Sequence, residues 1–184
     1  RENDCIFRFN VDSCYFSPRL AAERAEIAKM VKKGEKVLVM FGGVAPFAIV
    51  IGKFGRAGKI VSVEISRECN KYASENVKRN KLNNVEIVQG DVRRVLGRGK
   101  KVSEKFDRIV MARPNLDDSF LDVAFSVIGK RGVIHYYGFY NENDVEKMRE
   151  IIFDEALRAG KKIKIIGIKR AGEVGVRRFR LRAD

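Results

Sequence analysis

The chain has 184 residues, of which 38 are Lys or Arg and 24 are Asp or Glu, so its formal net charge is +14. Its 45% of apolar residues can build one compact domain with a buried core, which excludes an intrinsically disordered protein. No apolar run reaches the ~18 residues of a membrane span, and no signal-peptide pattern is present, so we expect a soluble cytoplasmic protein.

The first unit, residues 1–33, is predicted to be a short extension of one strand and one helix. Ile6–Val11 alternates apolar and polar side chains as a strand does. Ser17-Pro18 has the residue types of a helix N-cap and first helical position. Arg19 and Glu23 follow four positions apart, a spacing that by itself favours an exposed ion pair on the helix surface.

Residues 34–184 alternate short apolar runs with helical patterns, which predicts an α/β core with a doubly wound, mostly parallel sheet. The seven predicted strands are Lys36–Phe41, Lys59–Ile65, Val85–Val88, Phe106–Met111, Gly132–Tyr137, Lys161–Ile168 and Val176–Arg182. The predicted helices are Pro46–Lys53, Ser66–Asn80, Asp118–Gly129 and Asp144–Ala159, with Ser66 and Ser119 as N-caps and Gly160 as the terminating glycine. Only Lys169–Gly175 separates the last two strands, so we expect a hairpin and one antiparallel terminal strand.

Ligand-capable groups follow the predicted strands at their carboxyl ends. Phe41–Phe47 (FGGVAPF) forms a glycine-rich turn into a helix, and Glu64, Asp91 and Arg113 end or follow the next three strands. Open α/β sheets bind ligands at this edge, and a carboxylate there can accept both hydroxyls of a ribose. The glycine pattern is neither a phosphate loop nor a dinucleotide fingerprint, so a nucleoside without a pyrophosphate fits best. Helix caps and turn residues are the alternative reading of the same acids.

Clustered cations favour a polyanionic partner, although a well-solvated surface explains the composition about equally well. Residues 158–184 hold 10 basic and 2 acidic side chains. A second cluster is Arg93, Arg94, Arg98, Lys100, Lys101, Lys105 and Arg108. The cations of the last strand, expected to contact phosphates, are Arg177, Arg178, Arg180 and Arg182. The fifth-strand aromatics, which either stack on an extruded base or fill the core, are Tyr136, Tyr137, Phe139 and Tyr140.

Neither the histidine nor the cysteines indicate a metal centre. His135 is the only histidine and lies within a strand, which favours a packed core residue over a catalytic base. Cys5, Cys14 and Cys69 are odd in number and lack C-x-x-C spacing, so we expect buried free thiols.

Five segments of the chain form a recognisable combination. They are YFSPRLAAER (15–24), MFGGVAPF (40–47), ENVKRN (75–80), GDVR (90–93) and GVIHYY (132–137). Together they resemble the Met-10-like class I methyltransferases, which are the archaeal and eukaryotic tRNA (guanine-37-N1)-methyltransferases and their wybutosine-pathway relatives. The resemblance implies a Rossmann-like class I methyltransferase fold, S-adenosylmethionine as cofactor, tRNA as partner, and methyl transfer to N1 of guanosine 37.

Carried over by position, the resemblance implies that Glu23 is the general base at guanine N1, with Arg19 and Arg24 supporting the cofactor or the base. Guanine N1 becomes a nucleophile when a carboxylate removes its proton, and a cation at O6, for which Arg113 is the candidate, would stabilise the developing charge. The implied cofactor contacts are Phe41, Gly43 and Ala45 at the methionine end, Glu64 at the ribose, Asp91 and Val92 at the adenine, and also Ile65 and Ala112. The expected substrate contacts are Pro114, Tyr137, Arg178 and Arg180.

Two positions depart from the family pattern. Val39 replaces an acid at the end of the first core strand, and Ala112-Arg113-Pro114 replaces an N-x-P motif. Wybutosine-pathway aminocarboxypropyltransferases also lack that Asn, so aminocarboxypropyl transfer to tRNA is one alternative and a catalytically inactive RNA-binding module is another. Because the chain begins at Arg1, we expect a missing upstream tRNA-recognition domain, and nothing in the sequence demands more than a monomer.

Overall fold

A computed structural model of the chain describes residues 1–141, 144–175 and 178–184. Within these ranges one seven-stranded sheet has the order β3-β2-β1-β4-β5-β7-β6. The strands are β1 (Lys36–Met40), β2 (Lys59–Glu64), β3 (Val85–Gln89), β4 (Phe106–Met111), β5 (Ile128–Asn141), β6 (Ile168–Gly175) and β7 (Arg178–Ala183). Strands β1 to β5 pair in parallel, whereas β7 is antiparallel to both β5 and β6. The prediction of a mostly parallel α/β sheet with an antiparallel strand at the end of the chain is therefore confirmed.

Helices cover both faces of this sheet. They are α1 (Ala21–Met30), preceded by a 3-10 turn at Pro18–Leu20, α2 (Pro46–Phe54), α3 (Arg67–Arg79), α4 (Val92–Val95), α5 (Leu121–Val127) and α6 (Val145–Arg158). Alternate residues of β1 face opposite ways: Val37 and Val39 pack with α1 and α2, and Leu38 and Met40 pack with α5 and α6. Each of these four side chains is buried, so β1 is a central strand, as its continuous apolar run predicts.

The predicted N-terminal strand at Ile6–Val11 is wrong, because side chains of α3 take up its backbone polar groups. The Arg8 N–H donates to Asn76 Oδ1 (2.7 Å), and Asn76 Nδ2 donates back to the Arg8 carbonyl (3.0 Å). Asn80 holds the N–H and C=O of Ile6 in the same reciprocal way, at 2.9 and 2.7 Å. The segment is extended against a helix, and two amide side chains replace the neighbouring strand.

The predicted strand at Lys161–Ile168 is also wrong, since the ladder partner of β7 is the next segment of the chain. Lys169–Gly175, predicted as the hairpin turn, lies within β6, where Ile168 pairs with Ala183 and Gly175 with Arg178. Apolar and polar residues alternate at 161–166 although this segment is not a strand, because Ile163 and Ile165 pack against the apolar cluster on the α5 and α6 face. Val176 and Arg177, predicted in the last strand, lie outside the described residues.

Two predicted helix ends follow the capping chemistry, whereas Ser17 precedes the 3-10 turn without a side-chain cap and Ser119 is not at the N-cap position. The Ser66 hydroxyl accepts the N–H of Cys69, and Gly160 follows α6 with φ of +62°, as predicted. The helix predicted from Asp118 begins only at Leu121, and Phe120 with φ of +57° stands at its N-cap position in place of Ser119. The short helix α4 has no predicted counterpart.

Candidate active site

The carboxyl ends of the parallel strands meet at one edge. Met40 pairs with Val63 and with Met111, and Met111 pairs with Tyr136, so the residues after them are level with one another. Glu64 pairs with Gln89 at the same height. The groups brought together at this edge are Phe41, Glu64, Asp91, Ala112 and Tyr137, all of which the sequence indicated as site residues.

The turn after β1 is held in a conformation that side chains usually avoid. Phe41, Gly43 and Ala45 have φ values of 61°, 54° and 65°, in the left-handed region. Such backbone costs on the order of 1–3 kcal/mol for a non-glycine residue and is concentrated at functional sites. A Cβ at Gly42 would lie 2.2 Å from the Ser62 hydroxyl oxygen, so a side chain there would require that hydroxyl to rotate away. The three left-handed residues are the ones expected at the methionine end of a cofactor.

Glu64 fastens this turn to the end of β2. One carboxylate oxygen accepts the Gly43 N–H and the other accepts the Ser66 N–H, both at 2.8 Å. A carboxylate has about four acceptor positions, so each oxygen keeps one for another donor. Glu64 is half-buried and Ile65 beside it is exposed. The geometry leaves a carboxylate that is fixed in place and still able to bind hydroxyl groups.

The Asp91 turn is connected to the loop after β4 through Arg93. Asp91 Oδ1 accepts the Arg93 N–H at 2.8 Å and caps α4, which begins at the buried Val92. The Arg93 guanidinium binds Asp118 (2.7 Å) and Asp122 (2.6 Å), and these hydrogen bonds, opposed by partial burial, raise its pKa further. Arg93 is therefore committed to carboxylates of this chain rather than free for phosphate.

An aromatic contact joins the same loop to the glycine-rich turn. The Arg93 guanidinium lies 4.9 Å from the centroid of the Phe120 ring. Phe120 in turn meets Phe41 edge to face at 5.1 Å between centroids. The loop that carries Ala112 and Pro114 is thereby tied to the turn that is expected to hold the cofactor.

Arg113 stabilises the loop after β4 through hydrogen bonds to its backbone carbonyls. The residue is buried, and its Nη1 donates to the carbonyls of Leu116 (2.6 Å) and Asp118 (2.9 Å). Its guanidinium carbon lies 5.5 Å from the Tyr136 ring centroid. A role for Arg113 at the substrate remains a prediction, and the contacts in this structure are with its own loop.

Glu23 lies in the first turn of α1 with its carboxylate inside the protein. Its Oε2 accepts from the Tyr137 hydroxyl at 2.9 Å and from Arg182 Nη1 at 2.7 Å. Its Oε1 pairs with Lys169 Nζ at 2.9 Å, and Lys169, on β6, is 41% exposed. Burial and the adjacent Glu23 carboxylate raise the pKa of Tyr137 well above its usual value, so the phenol is a donor. Two cations, Arg182 and Lys169, thus bind the carboxylate, one at each oxygen.

Arg19 and Arg24 lie in different environments, and their support of the cofactor or the base stays a prediction. Arg19 is exposed and donates to the Glu173 carbonyl at 3.3 Å, so the helix ion pair with Glu23 that the spacing suggested is not the contact it makes. Arg24 is buried between the rings of Phe16 and Phe47, at 4.8 and 5.5 Å from their centroids. Its Nη1 binds the Glu2 carboxylate at 2.6 Å and its Nη2 the Ser17 carbonyl at 2.9 Å. Arg24 therefore organises the turn that precedes α1.

The cations of β7 fall into two groups. Arg178 is exposed, and Arg180 lies with its guanidinium 4.7 Å from the Phe139 ring centroid. Arg182 is 2% exposed and binds Glu23, Glu26 and Asp184, so the prediction that it contacts phosphate is wrong. Arg182 alternates with Leu181 and Ala183 along β7, so it faces the other side of the sheet, where these carboxylates lie. Arg177 lies outside the described residues.

The second basic cluster is less uniform than its sequence suggests. Arg108 is buried and forms hydrogen bonds with Glu35 at 2.8 and 3.1 Å. The exposed members of the cluster are Arg94, Arg98, Lys100, Lys101 and Lys105.

The aromatic residues of β5 mostly belong to the core. Three of the four, Tyr136, Tyr137 and Tyr140, are buried, and Phe139 is half-buried.

Two cavities of the described structure border α5. One of about 840 Å³ lies between β5, α5 and residues 161–166, and another of about 590 Å³ borders α5 and α6. None of the predicted site residues lines either cavity, and we assign the site by the chemistry of the strand ends.

Among the described residues no group of three or more His, Cys, Asp or Glu is placed to hold a metal. No described helix is long and apolar enough to cross a membrane.

Comparison with known proteins gives concordant matches. A family model described as the TRM5/TYW2 methyltransferase domain matches residues 1–166. The Pyrococcus abyssi tRNA (guanine(37)-N(1))-methyltransferase Trm5b is 38% identical over 189 residues, covering all of this chain and 53% of that protein. The Nanoarchaeum equitans tRNA (guanine(37)-N(1))/4-demethylwyosine(37)-methyltransferase Taw22 is 31% identical over 232 residues, covering all of this chain and 77% of that protein.

Solved structures agree with these matches. The crystal structure of Pyrococcus abyssi Trm5b superposes with a TM-score of 0.89 at 38% identity, covering all of this chain and 53% of that one. Methanocaldococcus jannaschii TYW2, solved in complex with AdoMet, has a TM-score of 0.87 at 26% identity, covering all of this chain and 82% of that one. The chain thus spans about half the length of the Pyrococcus abyssi relative.

Proposed function

The chain belongs to the TRM5/TYW2 methyltransferase family, and from this premise we propose that it carries S-adenosylmethionine-dependent methyl transfer to N1 of guanosine 37 in tRNA. The observation that carries the proposal is the Glu23 carboxylate, buried at the strand edge beside the glycine-rich turn and fixed by Tyr137 and Arg182. Because the proposed substrate is tRNA, we also propose a cytoplasmic location, and we expect the protein to act as a monomer.

The base chemistry falls to the Oε1 atom of Glu23. Two buried donors occupy Oε2, whereas the partner of Oε1 is the half-exposed Lys169 on the edge strand β6. A guanine entering from this side would displace the Lys169 ammonium and present its N1–H to Oε1. Removal of that proton converts N1 into a nucleophile, and positioned general bases contribute about 10²–10⁴-fold to rate.

The residues of the strand edge fit S-adenosylmethionine. The left-handed turn at Phe41, Gly43 and Ala45 brings backbone close to a ligand, and Glu64 keeps free acceptor positions for two ribose hydroxyls. Asp91 and Val92 follow β3, on the side of Glu64 away from β1, where they would flank the adenine. When bound, the cofactor supplies an electrophilic methyl group on a sulfonium, and the protein contributes alignment of N1 with it.

Contacts to tRNA are proposed at the β5 and β7 end of the site. Arg178 is exposed there, and the neighbouring Arg180, which is buried against Phe139, is the second proposed contact. Pro114 lies in the loop after β4, which Arg93 connects to the Asp91 turn, and from there Pro114 would border the target base. Tyr137 contributes indirectly, through its hydrogen bond to Glu23. The exposed cations following β3 extend the positive surface.

Aminocarboxypropyl transfer to a wyosine precursor is the second candidate. The observation that favours it is Ala112-Arg113-Pro114, which has no amide side chain where the N-x-P motif would place one. The close superposition on TYW2 is consistent with either transfer. The two reactions move different carbon groups of one cofactor, so isotope labelling separates them.

The test uses the protein in its full natural length, tRNA transcripts with G37 or A37, tRNA that carries the wyosine precursor at position 37, and cofactor labelled in either the methyl or the carboxyl carbon. Methyl label retained only in G37 transcripts, and lost with Glu23→Gln, is the expected result. Carboxyl label retained in tRNA would establish aminocarboxypropyl transfer instead. Thermal stabilisation by cofactor without any transfer would indicate an inactive RNA-binding module.

A further inference from the structure

His135 is buried in the centre of a charged network. It is the only histidine of the chain and is 1% exposed. Its Nδ1 lies 2.6 Å from Asp184 Oδ1, and its Nε2 lies 2.7 Å from Arg108 Nη1. The charged groups that face the ring are Arg108 from β4, Arg182 from β7 and Asp184 directly after β7. A merely packed histidine would not need a polar partner on each nitrogen.

The partners decide which ring nitrogen carries the proton. A guanidinium only donates hydrogen bonds, so Nε2 facing Arg108 must be the acceptor. The single proton of the neutral ring is therefore on Nδ1, from which it donates to Asp184. Burial lowers the pKa of His135, with Asp184 opposing the effect, so the ring is neutral near pH 7. The Glu35 carboxylate balances the charge of Arg108, so the His135 ring only accepts a hydrogen bond from it.

The network continues from Asp184 to Glu23. The second oxygen of Asp184 accepts from Arg182 Nη2 at 2.8 Å, and Arg182 Nη1 donates to Glu23 Oε2 at 2.7 Å. Glu26 also accepts from Arg182 Nη2, at 2.8 Å. Asp184 is thus the link between a ring fixed on β5 and the arginine that holds Glu23. If its bond to His135 is lost, the carboxylate can rotate and Arg182 loses one of its anchors.

We propose that His135 is a positioning residue for Glu23, acting through its Nδ1–H, Asp184 and Arg182. The proposal rests on the function proposed for Glu23, and it gives a role to a residue, His135, that touches neither substrate nor cofactor. It requires a donor at Nδ1, not an imidazole as such. Asn at this position can present an N–H near the place of Nδ1, whereas Leu cannot. The pair His135→Asn and His135→Leu therefore separates positioning from packing.

The first experiment needs no activity. Because the chain has one histidine, ¹⁵N-labelled protein gives one pair of imidazole signals, which we expect to show a protonated Nδ1 and an acceptor Nε2 between about pH 7 and 8. In ¹³C spectra, the Glu23 carboxyl signal is expected to move with His135→Leu and to stay with His135→Asn. The Nε2–H tautomer, or a Glu23 signal indifferent to His135→Leu, would overturn the proposal.

The second experiment measures single-turnover transfer with the protein in its full natural length. His135→Leu is expected to lower the rate about 10- to 100-fold with cofactor affinity unchanged, because small displacements of a catalytic group cost factors of this size. His135→Asn is expected to stay within about threefold of the wild type. Full activity of His135→Leu, or equal loss in both variants with both still folded, would overturn the positioning role. Absence of transfer in the wild type would count against the proposed function alone, and the spectra would then decide the inference.

Discussion

The hydroxyl of Tyr137 on β5 donates to the carboxylate of Glu23 on α1 at 2.9 Å, although the two residues are 114 positions apart. Both side chains are buried, and Arg182 completes the group from β7. A helix outside the core sheet is thereby connected to two of its strands by hydrogen bonds to one carboxyl oxygen. The orientation of the proposed base is set by the sheet, which leaves the other oxygen for chemistry.

Replacing Glu23 by Gln is expected to lower methyl transfer by about 10²–10⁴-fold while leaving cofactor binding within a small factor. The amide has nearly the same shape but accepts a proton from guanine N1 poorly. Single-turnover assays and calorimetric titration with cofactor measure the two quantities. Glu26→Gln, one turn further along α1 and also paired with Arg182 and Lys169, is the matched control. Equal losses in both variants would point to the ion network rather than to proton removal.

Glu64→Gln is expected to weaken cofactor binding by about 10- to 100-fold, the equivalent of one or two charge-assisted hydrogen bonds. The variant replaces one carboxylate acceptor for backbone N–H groups with an amide donor, so it also loosens the Gly43 turn. Isothermal titration gives the affinity, and Glu68→Gln, exposed in the first turn of α3, serves as control. Unchanged affinity would remove Glu64 from the ribose site.

Asn76→Ala is expected to destabilise the protein by about 2–4 kcal/mol, since a buried amide with three partners is lost. Asn76 binds both backbone groups of Arg8 and the carbonyl of Val44, which belongs to the glycine-rich turn. Denaturant titration measures the change, and Lys78→Ala, exposed on the same helix, is the control. A change below about 1 kcal/mol would mean that the N-terminal segment is held by packing alone.

The free energy of unfolding is expected to fall as the pH drops below about 6.5, the ordinary pKa of histidine. Burial lowers the pKa of His135, so directly below this pH the unfolded chain binds a proton that the folded chain does not, and stability rises with pH. The slope is at most about 1.4 kcal/mol per pH unit. Glu26 and Asp184 have lowered pKa values, so their contributions are lost only at lower pH.

Urea titrations at several pH values measure this slope. His135→Asn removes the titrating ring and should flatten the profile above pH 4.5, which makes it the matched control. An unchanged slope in that variant would assign the pH dependence to another group.

Arg178→Ala is expected to reduce the salt dependence of tRNA binding by about one unit in the slope of log affinity against log salt, since one phosphate contact is lost. Filter binding of the protein in its full natural length between low and moderate salt measures the slope. Arg158→Ala, on α6 and equally accessible, should leave it unchanged. Identical slopes in wild type and Arg178→Ala would exclude this side chain as a phosphate contact.

Prediction from the sequence was most successful where one local pattern determines the outcome. Glycines in a strand-to-helix turn, and acids after successive strands, indicated the edge at which Glu64 and Asp91 meet, because parallel strands end on one side of a sheet. Prediction failed for Ile6–Val11, whose alternation is real but whose hydrogen bonds go to Asn76 and Asn80. Alternation of apolar and polar side chains predicts that one side of a segment is buried, but it does not predict which element covers that side.

The sequence by itself therefore determined the α/β class, the antiparallel strand at the end of the chain and the residues of the strand edge. Only the tertiary structure decided what surrounds Glu23, because Tyr137, Lys169 and Arg182 come from distant strands. The same holds for the charge of the chain. Arg108 and Arg182 count towards the net +14, yet both are buried against carboxylates, since an ion removed from water is stable only where partners from other elements replace the water.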